Sequence, residues 1–174
     1  AGVRVPRGHR LGADGGGFGV MMGVVLPAFS VMNAACSVGL MESVVARAAE
    51  HASGARWQHL GSAPADLPTV RAYLAKMRVK TDMARALWLD TLAALEAARG
   101  DAMLRVLECK AACNDAALEV TDTAMRVCGG AAFRGDVGVE RAFRDARAGA
   151  VMAPTSDALY DFIGKAVCGQ NLFG

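Results

Sequence analysis

The sequence has 174 residues, of which 53% are hydrophobic and only 6% aromatic, and a formal net charge of +2. That length holds about one domain with a core of ordinary size, and a composition rich in Ala, Leu, Val and Met fits a helical bundle better than a β-sandwich. No two lysines or arginines are adjacent, so no clustered cationic surface for a nucleic-acid backbone is expected.

The chain opens on AGVRVPRGHRLGADGGG, briefly strand-like and then loop, and it lacks an initial methionine, as a piece of a longer protein would. Residues 15–41 carry no charged side chain over 27 positions, long enough to cross a bilayer, and Gly19 and Gly23 have the spacing of packed membrane helices. Pro27, Ser30, Asn33, Ser37 and six glycines weigh against a span, as does Glu42 rather than a cation beyond Met41. The expectation is a buried central helix over about 18–52, with Pro27 either kinking it or marking its first turns.

Residues 53–64 (SGARWQHLGSAP) read as a loop. The second helix is expected to begin near Asp66, whose carboxylate suits the orphan amides, with Pro68 in its first turn, and to end at Gly100. Val70, Leu74, Met77, Thr81, Ala84, Leu87 and Leu92 describe its buried stripe. The third helix, capped by Asp101, spans about 102–127, with Leu104, Leu107, Ala111, Leu118 and Met125 apolar and Lys110, Asn114 and Thr121 along a more polar side. A short fourth helix over about 137–147 follows Asp136 as cap and carries Glu140/Arg144 and Arg141/Asp145 at four-residue spacing. Pro154-Thr155-Ser156 starts a fifth, running to about Val167 before Gly169. Three long and two short helices predict an all-α, antiparallel four-helix-bundle-like fold.

Five cysteines, an odd number in helical context, predict free thiols in a reducing compartment, by default the cytoplasm. Cys109 and Cys113 share a helix face, but without a nearby His or third Cys they read as buried thiols, and no metal is expected. Cys128-Gly129-Gly130 ends the third helix where only glycine adopts a positive φ freely; this is either a plain helix stop or a place where main chain meets a phosphate or cofactor.

Lys110-Ala111 with Ala116, Glu119-Val120-Thr121, Gly129-Gly130 and Val139-Glu140-Arg141-x-x-Arg144-Asp145-Ala146-Arg147, in this order and at these separations, resemble the C-terminal helical domain of the acyl-CoA dehydrogenase superfamily. Val5-Pro6, Leu11-Gly12 and Gly17-Phe18 resemble that family's exit from its middle β-domain, so residues 1–17 are expected to be the tail of that domain and its linker, and 18–174 the bundle. Arg56 with Leu60-Gly61 resembles a degenerate R-x-x-F-G loop. The resemblance implies an FAD-dependent oxidoreductase, a dimer or tetramer acting on a small molecule such as an acyl-CoA thioester, with no nucleic-acid or membrane partner. It further implies that Gly129 and Gly130 approach the dinucleotide of a partner's FAD, that Arg56 reaches its pyrophosphate, and that Thr155 keeps a flavin contact.

The pattern breaks at the base. Where the family has Tyr-Glu-Gly-Thr, this chain has Met152-Ala153-Pro154-Thr155, so Ala153 stands in place of the glutamate that removes the substrate α-proton. The alternative base position, on the first helix, is Phe29. The third glycine of G-G-x-G is Ala132, and the glutamine that often precedes the double glycine is Arg126. No catalytic residue is therefore assigned. Asp157 and Glu42 are the carboxylates nearest in sequence to the two positions, and Asp157 reads as a first-turn residue complementing the helix dipole. Loss of general-base catalysis costs on the order of 100- to 10,000-fold. That leaves a relocated base, a flavin monooxygenase of the same superfamily, or a catalytically silent subunit acting as an assembly module.

Overall fold

The computed structural model describes residues 2–171. Five helices make the bundle: α1 (Gly17–Gly54), α2 (Pro68–Glu96), α3 (Ala102–Cys128), α4 (Val139–Val151) and α5 (Ser156–Val167). Residues 2–16 contribute one exposed helical turn, Arg7–His9, and otherwise lie outside the core.

Pro27 neither breaks nor ends α1. Its ring would collide with the carbonyl four residues earlier in a regular helix, and that stretch, Met21–Val25, is a widened π turn from which the helix continues as Leu26–Gly54. By length and composition Gly17–Gly54 could cross a membrane. Its second half, however, buries Ala34, Val38, Met41, Val44, Ala48 and Ala52 at three- and four-residue steps, the seam of a bundle helix.

α3 is the axis of the fold. It packs against all four other helices and buries residues on nearly every side, small ones at Cys109, Cys113, Ala116, Ala117 and Ala124 letting neighbours approach closely. α1 and α3 run parallel, with Phe29 beside Lys110 and Ser37 beside Asn114. α2 runs opposite to both: Trp88 donates to the Val31 carbonyl at 3.1 Å, Arg85 pairs with Glu42, and Thr91 reaches the Arg105 carbonyl at 3.3 Å. α4 returns along α1, from Gly138 near Arg47 to Met152 near Asn33.

Several expected boundaries move. Asp66 accepts the Ala63 amide at 2.7 Å within a short turn, Pro64–Asp66, and α2 starts at Pro68. α2 stops at Glu96 rather than Gly100, because the left-handed C-terminal residue is Ala98 (φ 48°), with the Arg99 amide bonded back to the Ala94 carbonyl at 2.9 Å. Within α2, Leu92 is exposed and Thr91 and Ala94 are buried in its place.

Asp101 caps nothing. Its carboxylate takes the guanidinium groups of Arg99 and Arg105, and hydrogen bonding from Arg99 holds it down at about 2. Asp136 likewise pairs with Arg134, and α4 begins after Gly138 (φ 69°) and runs on to Val151. Thr155 does cap α5, its hydroxyl accepting the Ala158 amide at 3.4 Å.

The largest correction concerns α3. Lys110, Asn114 and Thr121, expected on a polar side, are completely buried. Other helices cover that face, while the solvent side of α3 is the one bearing Glu119, Asp122 and Arg126, so the buried polar groups must find acceptors within the protein. Thr121 donates to the Ala117 carbonyl at 2.8 Å; Lys110 and Asn114 turn to the last turn of α4 and the segment that follows it.

Candidate functional site

The first turns of α1 place Phe18, Met21, Met22, Val25, Leu26 and Phe29 around a compartment of about 460 Å³, closed on other sides by Phe162 of α5 and by Ala153 and Pro154. No ionisable side chain lines it. The two positions at which the family pattern puts a base, Ala153 and Phe29, thus share one compartment and neither can take a proton.

The carboxylates considered as replacements do not line it. Glu42 lies about 20 Å along α1 from Phe29 at the helical rise of about 1.5 Å per residue, and it is paired with Arg85. Asp157 is exposed in the first turn of α5, where its charge complements the helix N-terminus.

The wall bearing Ala153 belongs to a strap, residues 149–155, made of the last turn of α4 and the irregular segment 152–155 that joins it to α5. The Lys110 ammonium donates to the carbonyls of Gly149 (3.2 Å), Met152 (3.0 Å) and Pro154 (2.8 Å), and Asn114 Nδ2 donates to Gly149 at 2.9 Å. Ser37 fixes Asn114 by donating to its Oδ1 at 2.7 Å. Desolvation pulls the Lys110 pKa downward. The Lys110 nitrogen also lies 5.8 Å from the Phe29 ring centroid. Gly149 has no room for a side chain, since an added Cβ would meet Asn114 Oδ1 at 2.5 Å. In the sequence Lys110 reads as part of the family motif and as one residue of a polar helix side; a single cation inside the run Cys109–Cys113, between apolar faces, is the available signal of an anchor.

The cofactor candidates divide between the two ends of the bundle. Thr155 lies on the strap. Gly129 and Gly130 lie about 28 Å away along α3 from Lys110, by the same helical rise, and Arg56 follows the end of α1 at that same end. Gly129 has φ 55° and ψ −138°, a conformation reserved for glycine, and begins the short turn Gly129–Phe133. Both glycines are exposed, and a Cβ added to either would meet nothing within 4 Å. Arg56 is exposed; Trp57 closes a small turn, its amide donating to Ser62 at 2.9 Å, and His59 is exposed on it.

All five cysteines are free, with Cys109, Cys113 and Cys128 buried. Cys113 donates to the Ala84 carbonyl at 3.5 Å. Among the described residues no three His, Cys, Asp or Glu side chains cluster as metal ligands.

The class is thus an all-α helical-bundle domain, with one wall of an apolar compartment fixed by its central helix and an open glycine turn at its far end. The chain belongs to the acyl-CoA dehydrogenase family: residues 15–168 match the model of the acyl-CoA dehydrogenase C-terminal domain. The mitochondrial very long-chain specific acyl-CoA dehydrogenase of Bos taurus is 30% identical over 176 residues, covering 99% of this chain and 26% of that protein. Among solved structures, butyryl-CoA dehydrogenase from Megasphaera elsdenii superposes with a TM-score of 0.86 at 24% identity, over 94% of this chain and 42% of that one. PigA with FAD and proline superposes with a TM-score of 0.86 at 18% identity, over 98% and 43%. At these identities the structures establish the fold. The chain spans about a quarter of the length of the bovine relative.

Proposed function

We propose that this chain is the C-terminal domain of an FAD-dependent oxidoreductase of the acyl-CoA dehydrogenase type, in which it contributes to flavin binding and to assembly as a homodimer or homotetramer. Its apolar compartment receives the acyl arm of a thioester substrate. The observation that carries this reading is the compartment between Phe29 and Ala153, wide, apolar and free of charge, in a chain of this family. Apolar lining with few polar groups is what a hydrocarbon arm requires.

The residues fit a flavin dinucleotide. Gly129 and Gly130 leave main chain bare and exposed, as an approaching phosphate requires, and Arg56 offers a bidentate guanidinium at the same end. Thr155 spends an acceptor on the Ala158 amide and retains its own O–H as donor. FAD, when bound, supplies the two-electron acceptor for a substrate hydride. Two groups of contacts at opposite ends of the bundle fit a chain that meets its own flavin near Thr155 and a second subunit's near Gly129. The free thiols support a reducing compartment, for which we keep the cytoplasm.

A second reading is favoured by one observation: the compartment holds no base. Monooxygenation with reduced flavin and oxygen, or a silent subunit, needs none. The test uses the full-length polypeptide containing this domain. It is expected to retain FAD, to bind acyl-CoA esters, and to reduce its flavin with them anaerobically at rates on the order of 100-fold or more below those of a base-bearing enzyme. Absence of bound flavin would sink the proposal. Fast reduction would require a base from another domain, and hydroxylation of a substrate by reduced flavin plus oxygen would establish the second reading. The isolated 174 residues are expected to be inactive and not to retain FAD.

A further inference from the structure

The anchor of the strap is unlike anything else in the bundle. Lys110 is completely buried, no carboxylate among the described residues forms an ion pair with it, and its three donors match three main-chain carbonyls. A buried charge without a counter-ion is costly, and an apolar side chain of similar volume would fill the same space at less cost. An apolar side chain, however, cannot hold the last turn of α4 and the two carbonyls of the irregular segment after it at fixed distances. The carbonyls of Met152 and Pro154 flank Ala153, so the ammonium fixes the peptide on either side of the residue that faces the compartment. The same nitrogen stands 5.8 Å from the Phe29 ring on the opposite wall. One cation therefore registers both walls against each other.

We infer that Lys110 is a positioning residue that sets the separation of the Phe29 and Ala153 walls, and thereby selects the length and girth of the acyl arm that fits. The inference rests on the reading that this compartment receives a thioester's acyl arm. Rigid apolar walls discriminate a methylene by about 10- to 200-fold, and walls free to move give that discrimination up.

The experiment measures binding of straight-chain acyl-CoA esters from butyryl to palmitoyl to the flavin-loaded full-length protein. The wild type is expected to show a peaked length profile, with a drop of about tenfold or more between the preferred ester and the first that overfills. Lys110→Met is expected to flatten that profile and to accelerate amide hydrogen exchange over residues 150–158. Val120→Ala, in the core of α3, is the control for general loss of stability and is expected to keep the peak. A Lys110→Met protein that keeps the wild-type profile overturns the inference while leaving the acyl-arm reading intact. Should Lys110→Met fail to fold, Lys110→Gln, whose shorter side chain offers at most two donors to the three carbonyls, must shift the profile the same way; an unchanged profile is equally fatal. If the wild type binds no ester of any length, the acyl-arm reading falls and takes this inference with it.

Discussion

The two halves of α3 are built by opposite means. In its N-terminal half Lys110 and Asn114 hold the strap through four hydrogen bonds, and Gly149 is glycine because Asn114 occupies the space of a Cβ. At its C-terminus a Cβ on Gly129 or Gly130 would meet nothing within 4 Å, and Gly129 is glycine because of its backbone angles alone. The strap is tied down by its own chain; the glycine turn is left open. The contrast separates two uses of glycine that a sequence writes with the same letter.

The sharpest way to break this comparison is to give the fixed wall the group it lacks. Ala153→Glu places a carboxylate at the compartment, where apolar surroundings raise its pKa toward that of a useful base. In the full-length protein, anaerobic flavin reduction by an acyl-CoA is expected to rise by about 100- to 10,000-fold. No change in rate would mean that the wall is not where the α-proton would lie.

Removing the anchor comes next. Lys110→Met leaves the Met152 and Pro154 carbonyls without donors, the Gly149 carbonyl keeping Asn114, and denaturant unfolding is expected to show a loss of about 2 kcal/mol or more, at about 1 kcal/mol or more for each unsatisfied group. A loss under about 1 kcal/mol would show that water replaces the ammonium and that the strap is not held by it.

The glycines then distinguish the two ends. Gly149→Ala forces its methyl onto Asn114, with an expected cost of about 1–3 kcal/mol in the same assay, and the cost should fall when combined with Asn114→Ala. Gly129→Ala meets no atom, yet should cost about 1–2 kcal/mol because an L-residue resists its backbone angles. Gly130→Ala is the smallest perturbation, within about 0.5 kcal/mol of wild type. It is nevertheless expected to lower the flavin content of the full-length protein, and unchanged flavin retention would remove Gly130 from the cofactor surface.

Much of the fold was legible because its signals are local. The five helices, the start of the fifth at Pro154-Thr155-Ser156 and the first-turn Pro68 follow from periodicity and from local start signals. The resemblance carried by Glu119-Val120-Thr121, Gly129-Gly130 and Arg144-Asp145-Ala146 led to the family that the whole-chain comparison shows. The misreadings were of a different kind. Asp101 and Asp136 look like caps, but an arginine two residues away competes for each carboxylate. Pro27 leaves open a kink or a first turn, and a π turn just before it accommodates its ring.

The sequence by itself determined the all-α class, the approximate helices, the family and the absence of a carboxylate at Ala153 and Phe29, since each depends only on residue type and spacing. Only the tertiary structure decided that Ala153 and Phe29 face one compartment, that Glu42 lies far from it, and that Lys110 is the buried anchor of the strap. These depend on which helices surround α3. Spacing along one helix tells which residues share a face, but whether that face meets water or another element is settled by residues elsewhere in the chain.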